Sequence, residues 1–241
     1  MSERSMKTGV LPSPEPSPAS PLAGDAALAW QRDYWHGLSV RPGLRPVIDP
    51  ADTNGAKNER IDACHEAHVR RFMRRLRLGR LGTVLDFGCG IGRHHDLLTS
   101  LARRYIGVDI AEGMLARAPG DVRLIDGTHL PLPDHSVDCV FCFWVLQHTV
   151  NDATLDTVIS EFGRCLYAGA TAVLCERRGP TRGEPGRPAD YIRHREPAEY
   201  RRLFARHGFR LRRLQPIATS WRWPRRSDPL TNQDYLYAFT S

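Results

Sequence analysis

The stretch Val84-Leu85-Asp86-Phe87-Gly88-Cys89-Gly90-Ile91-Gly92-Arg93 constrains the fold more than any other part of this chain. A short apolar run, suited to a buried strand, ends in an acid. Three alternating glycines follow, and then a helical pattern begins. Glycine permits backbone angles that other residues avoid and lets a ligand approach the main chain closely. The free N–H groups opening the next helix then point at that ligand. A dinucleotide-binding turn uses the same device with Gly-x-Gly-x-x-Gly spacing. Here the spacing is Gly-x-Gly-x-Gly, and the acid stands two residues before the first glycine.

Short strands and helices alternate after this turn. The pattern predicts strands at Thr83–Phe87, Tyr105–Asp109, Val122–Asp126, Val137–Val145, Ala170–Glu176, Phe209–Ile217 and Asp234–Thr240. It predicts helices at Gly92–Ala102, Ala111–Ala118, Ala153–Leu166 and Pro197–His207. Alternation of this kind argues for an α/β fold, a parallel sheet with helices on both faces. Before it, Ile61, Val69, Phe72, Met73 and Leu76 recur at helical spacing and predict a helix from Lys57 to Leu78. Residues 36–55 read as loop, and residues 1–25, rich in Pro and Ser, as a disordered tail. The division expected is a tail at 1–25, a helical or lid segment at 26–79 and one domain at 80–241.

Three further elements stand at strand ends. Asp109 closes the second strand, 21 residues after Gly88. A carboxylate there can accept hydrogen bonds from both hydroxyls of a ribose, which points to a nucleoside ligand. Asp126-Gly127 closes the third strand, where a side chain could meet an exocyclic adenine amine. The fourth strand runs through Phe143-Trp144 into Leu146-Gln147-His148.

These four elements, in this order and spacing, resemble the class I S-adenosylmethionine-dependent methyltransferases, in particular the small-molecule enzymes with a methyltransferase type 11 domain. The resemblance covers residues 80–177 closely and the rest of the C-terminal part more loosely. It implies a Rossmann-like, seven-stranded, mostly parallel sheet with the last strand antiparallel, preceded here by the N-terminal helical extension. It also implies S-adenosyl-L-methionine as cofactor. Asp86, Gly88 and Gly90 would shape the pocket for the methionine end. Asp109 would hold the ribose with Ile110 against the adenine, Asp126 and Gly127 would frame the adenine edge, and Phe143 and Trp144 would pass near the sulfonium. Read without the resemblance, Asp86 is a cap and Asp126 a turn former.

A methyl acceptor with a hydroxyl group needs a proton removed, and a histidine, titrating near neutrality, can remove it. His148 is the first candidate for this catalytic role, with loop stabilisation as its alternative; His129 is a second. His94 and His95 are expected on the exposed side of the helix after the glycine turn, and His65 and His68 as plain helix residues. On the substrate side stand Tyr34, Lys57 and Arg177. Tyr34, with Trp30 and Trp35, either forms a lid or staples the N-terminal segment to the core. Lys57 is one of two lysines and either meets an anion or belongs to a helix start. Cys139 and Cys142 lie within one apolar strand, three apart and so on opposite faces, and no second pair completes a zinc site. No metal is expected.

Composition narrows the class of partner. The net charge is +7, and from Glu176 to Arg226 there are 15 Arg against five Asp or Glu. Such an excess can attract a nucleic acid, an anionic small molecule or an acidic carrier, or simply be a solvated face. No apolar run reaches the ~18 residues of a spanning helix, and no leader precedes the fold, so neither a membrane protein nor a secreted one is expected. The six scattered cysteines suit a reducing, cytoplasmic setting. The function expected is methyl transfer to a small-molecule acceptor, possible anionic groups included. O-methylation in specialised metabolism or of a sugar-derived compound comes first. An RNA methyltransferase and a non-catalytic partner protein of the same fold are the alternatives; nucleic acid is not the partner expected, and a homodimer is left open.

Overall fold

The computed structural model describes residues 24–178, 191–217 and 234–241. Most of the expected tail at 1–25 lies outside the described residues. Two helices come first, α1 (Gly24–Leu38) and α2 (Ala56–Leu76). In α2 the residues Val69, Phe72, Met73 and Leu76 form one buried stripe. Its last turn carries Arg74 and Arg75 beside the negative end of the helix dipole. The helix stops at Arg77, which turns left-handed at φ 52°.

The sheet then follows as β1 (Leu81–Phe87), β2 (Ala102–Asp109), β3 (Asp121–Leu124), β4 (Val137–Phe143), β5 (Leu166–Arg177), β6 (Arg210–Ile217) and β7 (Asp234–Thr240). The intervening helices are α3 (His95–Leu101), α4 (Glu112–Leu115), α5 (Asp152–Cys165) and α6 (Pro197–Arg206). The strand order is β3-β2-β1-β4-β5-β7-β6. Strands β1 to β5 are parallel, and β7 runs antiparallel to both its neighbours. The architecture is the expected Rossmann-like one. The order reverses between β1 and β4, so a crevice opens at the carboxyl ends of these two strands.

Each face of the sheet carries its own core. Leu85, Phe87, Val140 and Cys142 pack with Phe162 of α5 and Phe204 of α6. Val84, Cys139, Phe141 and Val173 pack on the other face with Val69 and Phe72 of α2. Cys139 and Cys142 thus face opposite cores, as alternation along a strand requires. Helix α5 is started by Asn151, whose side chain accepts from the N–H groups of Ala153 and Thr154. Glu196 and Glu199 form a capping box at the start of α6, with Pro197 in its first turn. No helix among the described residues is long and apolar enough to cross a membrane.

The aromatic patch at Leu28–Trp35 lies on helix α1, inside the expected helical or lid segment. Two expectations change. His94 is buried rather than exposed, packed against the rings of Phe141 and Phe143. His65 is fully buried between α2 and the sheet, against Phe143 and Trp144.

Candidate active site

The glycine turn leaves β1 at the crevice. Gly88 and Cys89 donate their N–H groups to the Val108 carbonyl, at 2.8 and 3.0 Å, which ties the turn to the end of β2. Gly88 has φ 72°, and a Cβ there would lie 2.3 Å from Cγ2 of Val145. Only glycine fits that approach. The Asp109 carboxylate takes the N–H of Gly90 on one oxygen and that of Ala111 on the other, both at 2.9 Å. Burial raises its pKa against these donors. Each carboxylate oxygen has a second lone-pair direction, so Asp109 can still accept from a ligand.

A cleft open to solvent lies above the turn, a concave setting of the kind in which small-molecule sites occur. Asp109, Ile110 and Gly127 line it at the β2–β3 end. Trp144, Gln147, His148 and Arg177 line it at the β4–β5 end. Leu28, Gln31 and Trp35 of α1, with Val47 and Ile48 of the following loop, form its outer wall. Arg117 holds that loop by donating to the carbonyls of Ser39, Arg41 and Gly43.

Of the residues singled out from sequence, Gly88, Gly90, Asp109, Ile110, Gly127, Phe143, Trp144, His148 and Arg177 meet in this one cleft. Asp86 lies behind it and lines a smaller neighbouring cavity with Gly88, Arg93, His94 and Phe143. Its carboxylate accepts from the Tyr105 hydroxyl at 3.0 Å, and burial pushes its pKa up to about 7. Three expected residues stay outside the wall. Asp126 is exposed and spends one oxygen on the N–H groups of Thr128 and His129, so the turn-former reading describes it. Lys57 points outward and pairs with Asp49. Tyr34 stacks on Trp30 at 5.0 Å and packs near Tyr191, which favours the staple over direct contact.

Trp144 is the centre of the β4–β5 end. It adopts φ 59°, a left-handed conformation rare for a bulky residue. Its indole N–H donates to Asp234 of β7 at 3.0 Å. The Arg177 guanidinium stacks over the indole at 4.9 Å and that of Arg93 lies 5.5 Å from it. Asp234 is fully buried, and burial raises its pKa to about 6. His148 sits beside, its ring edge-on to Trp35 at 5.2 Å, its carbonyl taking a hydrogen bond from Gln31 at 2.6 Å.

Sequence reasoning missed Arg93, Gln31 and Asp234. Arg93 could have been found, since it directly follows the glycine turn. Gln31 and Asp234 carry no local signal; they reach the site only through tertiary packing.

Residues 85–174 match the family model of the methyltransferase domain. A probable S-adenosylmethionine-dependent methyltransferase of Mycolicibacterium smegmatis is 34% identical over 135 residues, 52% of this chain and 51% of that protein. Residues 85–174 therefore carry a methyltransferase domain, in a chain similar to S-adenosylmethionine-dependent methyltransferases. A malonyl-[acyl-carrier protein] O-methyltransferase of Yersinia pestis is 34% identical to it over 119 residues, 46% of this chain and 43% of that protein. The chain thus spans about half the length, or less, of these curated relatives. Among solved structures, phosphoethanolamine N-methyltransferase 1 of Haemonchus contortus, in complex with phosphoethanolamine and S-adenosylhomocysteine, shares the fold. Its TM-score is 0.70 at 19% identity, over 90% of this chain and 50% of that one.

S-adenosylmethionine is the cofactor that these similarities imply, and the residues present fit it. Gly88 and Gly90 line the cleft with main chain. Asp109 faces the cleft with acceptor capacity to spare. Arg93 spends Nε and Nη2 on His94 Nε2, at 3.2 and 2.9 Å, and its Nη1 is buried without a hydrogen-bond partner among the described residues, at the small neighbouring cavity. A charged N–H donor there suits the carboxylate of an amino-acid tail.

Proposed function

We propose that this chain transfers the methyl group of S-adenosylmethionine to a hydroxyl of a small, anionic acceptor. The observation that carries the reading is the convergence of Asp109, Trp144, His148 and Arg177 on one cleft. The cofactor supplies a methyl group already activated by its sulfonium. What the protein adds is position, and holding reactants in line near 3 Å is worth roughly 7–11 kcal/mol in favourable systems. In this reading Gly88, Gly90 and Asp109 hold the nucleoside, with Ile110 against the adenine. The Nη1 of Arg93 donates to the amino-acid carboxylate. Trp144 and Phe143 wall off water beside the reacting atoms. His148 accepts the acceptor's hydroxyl proton on its ring, and Arg177 holds the acceptor's anionic group.

Of the relatives named above, the malonyl-[acyl-carrier protein] O-methyltransferase supports an acidic acceptor. The reading keeps a reducing, cytoplasmic setting, with a specialised metabolite or a sugar-derived acid as acceptor.

Calorimetric titration with S-adenosylhomocysteine tests the cofactor half. Micromolar binding is expected, weakened at least about tenfold in Asp109→Ala, as loss of hydrogen bonds to a charged group implies. Transfer from labelled donor to a panel of hydroxylated acids tests the other half. His148→Asn should lower kcat by roughly 10²–10⁴, the usual worth of a general base, with S-adenosylhomocysteine binding kept. A wild-type chain that binds no cofactor would favour the non-catalytic partner. An unchanged kcat in His148→Asn would remove the base.

A further inference from the structure

The turn between β4 and α5 presents Trp144, Val145, Gln147 and His148 to the cleft. Its middle is one turn of 3₁₀ helix, Leu146–His148, and no side chain of its own caps it. Such a turn leaves its first N–H groups without internal partners. Glu176, at the end of β5 and fully buried, supplies them. One oxygen accepts from the N–H groups of Val145 at 3.1 Å and Leu146 at 2.8 Å; the other accepts from Gln147 at 3.0 Å.

The carbonyl side of the turn is held by a second buried charge. Arg195, also fully buried, donates to the carbonyls of Leu146 at 3.2 Å and Thr149 at 2.8 Å. It is fixed in turn by Asp152, at 3.0 Å. Thus the carboxylate takes the N–H end and the guanidinium the carbonyl end of one short segment. Burying two charges is costly unless they are hydrogen-bonded; three N–H groups face Glu176, and three carbonyls with Asp152 face the two Nη atoms of Arg195. Apolar side chains could fill the same space, but they could not hold a strained backbone.

The segment is strained where it meets the cleft. Trp144 is left-handed, wedged between its own N–H bond to the Cys175 carbonyl at 2.8 Å and the first of the Glu176 bonds. Val145 fills the space that Gly88 leaves without a Cβ. Any slip of the turn therefore moves Trp144 away from Asp234 and pushes Val145 into the glycine turn.

We propose that Glu176 is a positioning residue, whose carboxylate, with Arg195 opposite, sets the turn at 144–150 so that Trp144, Val145 and His148 form the cleft before any ligand arrives. The clamp stands on geometry alone; its consequence for ligand binding rests on the function proposed above.

The test is Glu176→Gln in the full chain. It keeps the volume but turns an amide NH₂ toward backbone N–H groups. Hydrogen exchange read by mass spectrometry should show lost protection over residues 144–151, with β1 and β4 unchanged. The S-adenosylhomocysteine affinity should fall about tenfold, since small misplacements of site groups have effects of that order or larger. Cys165→Ala, a core change away from the turn, serves as a reference for general destabilisation and should alter neither. Should Glu176→Gln fail to fold, Arg195→Met attacks the same turn from its carbonyl end with the same two readouts. Retained protection overturns the clamp. Lost protection with unchanged affinity overturns the positioning role. If the wild-type chain binds no S-adenosylhomocysteine, the proposed function falls, and the exchange measurement still decides the clamp.

Discussion

Arg93 shows what a single side chain can commit to. Its guanidinium is 95% out of solvent, lies 4.6 Å over the Phe143 ring and faces Asp62 at 3.5 Å. Burial lowers its pKa, and Asp62 opposes this. One of its nitrogens, Nη1, is buried without a partner among the described residues. A buried donor left unsatisfied costs about 1–3 kcal/mol, so its retention asks for a ligand. Arg93→Met keeps the length and the stacking but removes the charged N–H donor. The expected result is an S-adenosylhomocysteine affinity reduced by roughly 10–100-fold, the worth of a hydrogen bond to a charged group. Adenosine, which lacks the amino-acid tail, should bind wild type and variant equally. Equal losses for both ligands would show that Arg93 shapes the cleft as a whole. His94, next along the chain, carries no such role: desolvation holds its pKa well below the ordinary imidazole value, and it packs as a ring among Phe141 and Phe143.

At the scale of elements, the cleft is made where the glycine turn meets the turn after β4. Gly88→Ala places a methyl group 2.3 Å from Val145 and asks alanine to adopt φ 72°. The backbone part alone costs roughly 1–2 kcal/mol. Val145→Ala removes the clashing methyls but not the backbone strain. The double variant should therefore recover part of the melting temperature and of the S-adenosylhomocysteine affinity lost in Gly88→Ala. No recovery would mean that the φ angle, not the contact, fixes glycine here. Elements with local signals were readable in advance. Strand β7 has the bounds expected from its apolar run, and β1 with its glycines could be placed because strand, turn and helix are consecutive. The bounds of helix α1 were not readable, because its cleft-facing residues Leu28, Gln31 and Trp35 include a polar one and follow a proline-rich stretch. Asp126 sits at the right strand end, yet a local turn claims its carboxylate. Spacing along the chain cannot report which acceptor a carboxylate prefers.

At the scale of the whole molecule, packing of α2 on the sheet joins residues that sequence spacing cannot relate: His65 lies against Phe143 and Trp144 and 3.9 Å from Asp234. Burial, with Arg93 and Arg177 adding to it, holds the His65 pKa down to about 2. In the unfolded chain the same imidazole titrates near 6.5. Below that value the unfolded state binds a proton that the folded state refuses, so this group's contribution to stability is present above pH 6.5 and is lost as pH falls. The buried acids act with the opposite sign. Asp86 and Asp234 have folded pKa values raised to about 7 and about 6, so their contributions are full below the unfolded value near 4 and are lost as pH rises through 6 to 7. The net profile mixes both, and only a difference between variants isolates one group. His65→Phe keeps a ring in the aromatic contact and removes the titration. One refused proton is worth about 1.4 kcal/mol per pH unit, or about 2 kcal/mol between pH 6.5 and 5. Urea unfolding at a series of pH values should therefore show the variant gaining about that much on wild type over this interval. A constant difference from pH 7 to 5 would mean that His65 takes up its proton while folded, with Asp234 as its counter-ion, and that the junction of α2 with the sheet is a charged pair instead of a neutral ring beside a carboxyl group.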